Sequence, residues 1–173
     1  GTDIERHDLA CEAYFMRAFS YFMLANLYGK PYHPATANED LCVPLNKEIA
    51  LSDKMMKRAT NAAVYAQMEE DINKAIQCFK AIGGEKTIFR PNLPSAYLLA
   101  SRIALFQEKY DVTILYCDSV FKVATQPLYK LQEKKDHYFF SLANKEILLS
   151  YGLTSLETHM KEDFRYTGNL VVS

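Results

Sequence analysis

Leu9–Gly29, LACEAYFMRAFSYFMLANLYG, decides the fold. Ala, Leu, Met, Glu and Arg supply many of its positions and are good helix formers. No proline or glycine interrupts it before Gly29-Lys30-Pro31, a strong stop signal. Upstream, Thr2 and Glu5 have the spacing of a capping box, which starts the helix near Asp3. Tyr14, Phe15, Ala18, Phe22 and Ala25 fall on one side; Met16, Phe19, Met23 and Leu27 fall on another. That pattern predicts a helix packed on more than one side. A membrane span would need about 20 apolar residues, and Glu12, Arg17, Ser20 and Asn26 break the run.

Arg17 is the residue in this helix with the sharpest consequence. An unpaired guanidinium in an apolar setting is costly, so it requires a carboxylate. Glu12 is five positions away and poorly placed; Glu70 or Asp71 of the next helix is the better partner. The expected role of this group is structural.

Lys30–Asp53 follows as a long proline-bearing loop with Pro31, Pro34 and Pro44, and no helical period. Such a loop in a compact domain is functional or packs on itself. Within it, Leu41–Leu45 is an apolar run expected to tuck onto the helices. Lys54–Ala81 reads as a second, amphipathic helix, with Ala62, Tyr65, Met68, Ile72, Ala75, Ile76 and Phe79 at spacings of three and four. Gly83-Gly84 ends it. Asn92 caps a third helix with Pro94 in its first turn. A fourth runs from about Asp111, its expected cap, to Ala124.

Helices three and four form a unit of about 34 residues, the tetratricopeptide period. Tyr97 and Tyr110 occupy aromatic positions of that repeat, whereas Thr113 and Cys117 depart from it. Beyond Pro127 the pattern weakens. His137–Leu142 suggests a helical turn, Glu146–Tyr151 a strand, and Thr154–Ser173 a polar tail. The fold class is mainly all-α: tetratricopeptide-like hairpins, the long loop, and minor β near residues 145–151, as a single domain over 1–173.

The 173 residues carry 49% hydrophobic and 24% charged residues and a net charge of −1, a globular composition. There is no basic patch or tail, so nucleic acid is not an expected partner. The first residue is glycine and no leader-like start is present, which suggests a trimmed chain. Cys11, Cys42, Cys78 and Cys117 are widely spaced with no CxxC. Buried free thiols are expected, a usage that by itself favours a reducing compartment.

No nucleophile elbow or phosphate loop occurs. His7 and Cys11 are four apart on the first helix, but two ligands do not make a metal site. Glu69-Glu70-Asp71 are adjacent on a helix and point apart, so they do not converge for acid–base work. No catalytic residue, cofactor or metal is assigned. The chain has 12 tyrosines, 10 phenylalanines and no tryptophan, and an aromatic face can stack on a sugar ring. Most sit at helical core positions. Tyr28, Tyr32 and His33, beside the long loop, are the weak ligand-binding candidates; Tyr129 and Tyr138 are the other loop aromatics.

EAYFMRAFSYFMLANLYGKPY with its loop to LCVPL resembles a segment of the RagB/SusD family. RATNAAVYAQMEEDINKAI is similar to that family's next helix, RPNLPSAYLLASRIALFQEKYDVTILYCDSV to its following hairpin, and NKEILLSYG to the strand-like segment after it. The resemblance covers about residues 5–151. It departs at Thr113, Cys117 and Lys109-Tyr110, the last replacing a frequent tryptophan-bearing turn.

The resemblance implies a non-catalytic, surface-exposed outer-membrane lipoprotein. Such a protein binds a glycan or other nutrient and lies over a SusC-like TonB-dependent transporter. Family members are much longer, so this chain would be an internal part of the helical scaffold. The lipid anchor that alone would hold it to the membrane lies outside it. The competing expectation is a cytosolic helical-repeat adaptor that binds a peptide or partner helix.

Overall fold

The computed structural model describes residues 3–47, 56–83, 88–124 and 147–150. The expected turn at 137–142, the tail from 154 onward, Tyr129 and Tyr138 lie outside them. Four helices and two short strands follow one another: α1 Asp3–Tyr28, β1 Leu41–Pro44, β2 Arg58–Thr60, α2 Asn61–Ile82, α3 Leu93–Phe106 and α4 Tyr110–Val123. No described helix is long and apolar enough to cross a membrane.

α1 packs along α2, and α2 along α3, which forms a hairpin with α4. Phe15, Ala18, Phe22 and Ala25 of α1 meet Val64, Met68, Ile72 and Ala75 of α2 in the core; Ala96, Leu99, Ala100 and Ile103 of α3 close it. The small residues of α3 leave room for a neighbouring helix to approach, which compensates for their modest apolar area.

Only one broad face of α1 is covered. Met16, Met23 and Leu27 are exposed, contrary to the expectation that both apolar sides pack. α2 lies against one side, while on the other only Phe19 is partly buried, beside α3. The apolar residues Ile114, Leu115 and Phe121 of α4 are likewise exposed.

Local chemistry explains the boundaries. α1 stops where Gly29 begins: its N–H reaches the Ala25 carbonyl at 2.8 Å. A Cβ at Gly29 would lie 2.6 Å from that oxygen and 2.8 Å from Cys42 Sγ, so only glycine fits. The second helix starts later than its periodicity suggests, at Asn61, because Arg58–Thr60 pair as a strand with β1. Thr60 is its N-cap, accepting from Ala63 N, and Gly83 closes it at φ 57°. Asn92 and Ser95 form a reciprocal capping box at α3, with Pro94 in the first turn. α4 begins at Tyr110, one residue before the expected start. Asp111 is not its cap; Lys109 holds that position without a side-chain bond, and Asp111 lies in the first turn, where a negative charge suits the helix dipole. Glu108, at φ 62°, makes the α3–α4 turn.

The sheet also lies elsewhere than expected. β1 and β2 pair antiparallel, Leu41 opposite Thr60 and Pro44 opposite Arg58, with an irregularity between. Residues 147–150 form no strand. They lie against the start of α3, where Ser150 N donates to Ile88 O and Asn92 Nδ2 to Leu148 O.

The cysteine expectation is overturned for two of the four residues. Cys11 of α1 and Cys78 of α2 are disulfide-bonded, with Cα atoms 5.4 Å apart. Cys42 and Cys117 are free. Each bonded cysteine lies on the packed face of its helix, but which residues face each other across two helices depends on their register, which spacing within one chain segment does not reveal.

Candidate functional site

The long loop folds back on the ends of α1 and α2. Residues 33–40 make successive helical turns through Thr36 N and Ala37 N to His33 O, and Glu39 N and Asp40 N to Thr36 O. Two otherwise unpaired N–H groups at the start of α2 then find carbonyls in this loop: Asn61 N to Asp40 O and Ala62 N to Ala37 O, both 2.8 Å. The side chain of the fully buried Asn61 adds a bond to Lys30 O at 3.1 Å.

Between these elements opens a cleft of about 360 Å³ lined by Tyr28, Gly29, Lys30, Glu39, Asp40, Leu41 and Arg58. Lys30 Nζ and Thr36 Oγ1 both donate to Asp40, at 2.5 and 2.6 Å. These bonds hold the Asp40 carboxyl below its usual range, Lys30 most strongly. The Arg58 guanidinium donates to three main-chain carbonyls: Cys42 O, Leu41 O at 3.0 Å and Tyr28 O at 3.2 Å. It thereby ties the last turn of α1, whose carbonyls lack helical partners, to β1. Sequence reasoning missed Arg58, which it placed within the second helix; the structure puts it in β2, a strand of three residues too short to show alternation.

The three aromatic candidates are not brought together. Tyr28 is 67% exposed and lines the cleft. Tyr32 packs at 4.7 Å against Tyr65 and belongs to the core margin. His33 is exposed and caps its own turn, its Nδ1 accepting from Ala35 N at 3.3 Å. Only Tyr28 offers a free ring face beside polar groups.

The four charged candidates part company as well. Arg17 makes a two-pronged bond to Asp71, Nε to Oδ2 at 2.7 Å and Nη2 to Oδ1 at 2.6 Å. Asp71 is fully buried, while the Arg17 side chain remains 36% exposed, so the carboxylate is the enclosed partner. Gln67 Nε2 adds a third bond to Asp71 at 3.0 Å. The hydrogen bond to Asp71 raises the Arg17 pKa, and Arg17 also lies over the Tyr14 ring. Glu12 pairs with Arg90 at 2.7 Å, fastening α1 to the segment before α3. Glu70 pairs with Lys74 one turn on, and Glu69 with Lys109 at the head of α4. The acidic triplet thus serves three different contacts and forms no catalytic pair. Cys11, in its disulfide, is not available as a metal ligand beside His7. Among the described residues no group of three His, Cys, Asp or Glu side chains could hold a metal ion.

A second opening of about 360 Å³ lies between α1, α3 and residues 147–149. Its walls are apolar, with Phe15, Phe19, Leu98 and Leu149, and Arg102 stands among them.

A long helix tied to its neighbour by a buried carboxylate, followed by a tetratricopeptide-type hairpin, defines a helical scaffold. A SusD-like family, described as "Starch-binding associating with outer membrane", matches residues 1–105. The chain belongs to this SusD-like family. A SusD superfamily protein from Bacteroides thetaiotaomicron superposes with a TM-score of 0.68 and 26% identity, over 77% of this chain and 29% of its own. One from Bacteroides vulgatus gives 0.66 and 24% identity over 75% and 29%. A SusD-like carbohydrate binding protein from the same species gives 0.62 and 20% over 77% and 28%. The chain therefore spans less than a third of the length of these solved relatives. No curated protein matches it.

Proposed function

We propose that this chain is part of the helical scaffold of a longer glycan-binding protein at the outer-membrane surface. That protein would bind its nutrient without catalysis and pass it to a SusC-like TonB-dependent transporter. The observation that carries the reading is the family match over residues 1–105. The geometry is in keeping with it: helices locked by Arg17–Asp71 and Cys11–Cys78 form a rigid base, and the irregular 30–60 loop lies at the end of α1 and the start of α2. Of the three aromatic candidates, exposed Tyr28 is the one suited to stack on a sugar ring. Tyr32 and His33 belong to the loop that follows it.

The test is localisation and co-purification. Antibody to this chain should label intact cells, and a TonB-dependent transporter should co-purify after gentle detergent extraction. Recovery in the cytosol without a transporter would favour the adaptor reading, for which the exposed Ile114, Leu115 and Phe121 of α4 offer an apolar face.

A further inference from the structure

Cys11 and Cys78, 67 positions apart in sequence, are joined across the α1–α2 interface. Cys42 lies between them in sequence, so the bonded pair is not the pair of neighbours. Cys42 is fully buried in β1, against the end of α1 beside Gly29. Gly29 is about 27 Å along the helix axis from Cys11 at the helical rise per residue. A Cys11–Cys42 bond needs Cα atoms within about 7 Å and is incompatible with this fold. Cys117 sits on α4, half-buried and away from α1. Cytosolic thiols are kept reduced, so a bond between two helices of a chain poor in cysteine points to an oxidising compartment.

We infer that Cys11 and Cys78 are a modification site for an extracytoplasmic dithiol–disulfide oxidase, and that docking of α1 on α2 selects this pair by withdrawing Cys42 into the core. The assignment of compartment rests on the function proposed above; the selection of the pair does not.

The chemistry balances. Cys78, half-buried where Cys11 is wholly enclosed, is the accessible thiol. Its thiolate attacks the oxidase disulfide, whose S–S bond breaks, giving a mixed disulfide and one oxidase thiolate. The Cys11 thiolate attacks the Cys78 sulfur of that mixed bond, which breaks and releases the second oxidase thiolate. Cys11 and Cys78 lose two protons and two electrons together, and the oxidase disulfide becomes a dithiol. Burial pushes the Cys42 thiol up, which suppresses its thiolate and keeps it out of the exchange once the core has formed.

The experiment is trapped-thiol mass spectrometry on the full-length protein, carried by an export signal into the periplasm of hosts with and without their dithiol oxidase. Cells are quenched with iodoacetamide in denaturant, so that buried thiols also react, and peptides are mapped without reductant. The expected result in the competent host is a Cys11–Cys78 linked peptide with Cys42 and Cys117 alkylated, and loss of that link in the oxidase-deficient host. Cys42→Ser should leave the link intact. Alkylated Cys11 and Cys78 in the exported folded protein, a dominant Cys11–Cys42 link, or an unchanged link without the oxidase would each overturn the inference. Failure to bind any glycan, with the Cys11–Cys78 link present, would instead count against the proposed function and leave this inference standing.

Discussion

Replacing Arg17 with methionine keeps most of its stem but removes both prongs from Asp71. That carboxylate is fully buried and would retain only the Gln67 amide at 3.0 Å. Breaking a buried pair from one side costs about 3–5 kcal/mol. Arg17 is 36% exposed, however, so solvent already screens part of the interaction. The expected loss is therefore about 3 kcal/mol, or a fall in Tm of about 6–12 °C for a domain of this size. The reverse change, Asp71→Asn, leaves a guanidinium that can swing into water and an amide that can still hydrogen-bond, so it should cost only about 1 kcal/mol. The double variant should be more stable than Arg17→Met alone, because the uncompensated buried charge is gone. Urea denaturation of the four proteins measures the cycle. An Arg17→Met loss below about 0.5 kcal/mol, the level of an ordinary surface change, would refute the claim that Asp71 depends on Arg17.

Arg58→Ala removes donors from Cys42 O, Leu41 O and Tyr28 O. It should cost about 2 kcal/mol and speed amide exchange at Leu41–Val43, with α3 and α4 unaffected. Gly29→Ala places a Cβ 2.6 Å from the Ala25 carbonyl and should destabilise by about 1–3 kcal/mol, read by thermal melting; an unchanged Tm would contradict the close approach. Burial pushes Tyr65 up to about 12 from an ordinary 10.0. Its folded-state pKa is raised, so its contribution is complete below pH 10 and is lost as pH rises through 12. Ultraviolet titration should show a tyrosine ionising near pH 12 that is absent from a Tyr65→Phe variant, and that variant should lose less stability over the interval.

The sequence made α1 and the hairpin legible because their signals are local. An uninterrupted run ends at Gly29, and Asn92 and Pro94 mark a helix start through their own backbone chemistry. Arg17's need for a carboxylate follows from desolvation alone, and Asp71 is the residue that the α1–α2 register presents to it. Features that depend on distant register were not legible. The Cys11–Cys78 bond needs the relative rotation of two helices. The β1–β2 pair consists of strands of four and three residues, too short to display alternation. The exposed flank with Met16 and Met23 resembles a core stripe in sequence, because composition records hydrophobicity and not what lies opposite. Of the site candidates, proximity to the loop found Tyr28, but Tyr32 looked equivalent until its packing on Tyr65 was seen.

Calorimetric titration of the full-length protein with a panel of soluble polysaccharides, starch included, is the most direct test of the scaffold reading, with residues 1–173 alone as control. The expected result is saturable binding of at least one glycan by the full-length protein and little or none by this chain. Absence of glycan binding by the full-length protein would contradict the proposed function. Equally tight binding by residues 1–173 alone would show that the ligand site lies within this chain and that its role is more than support.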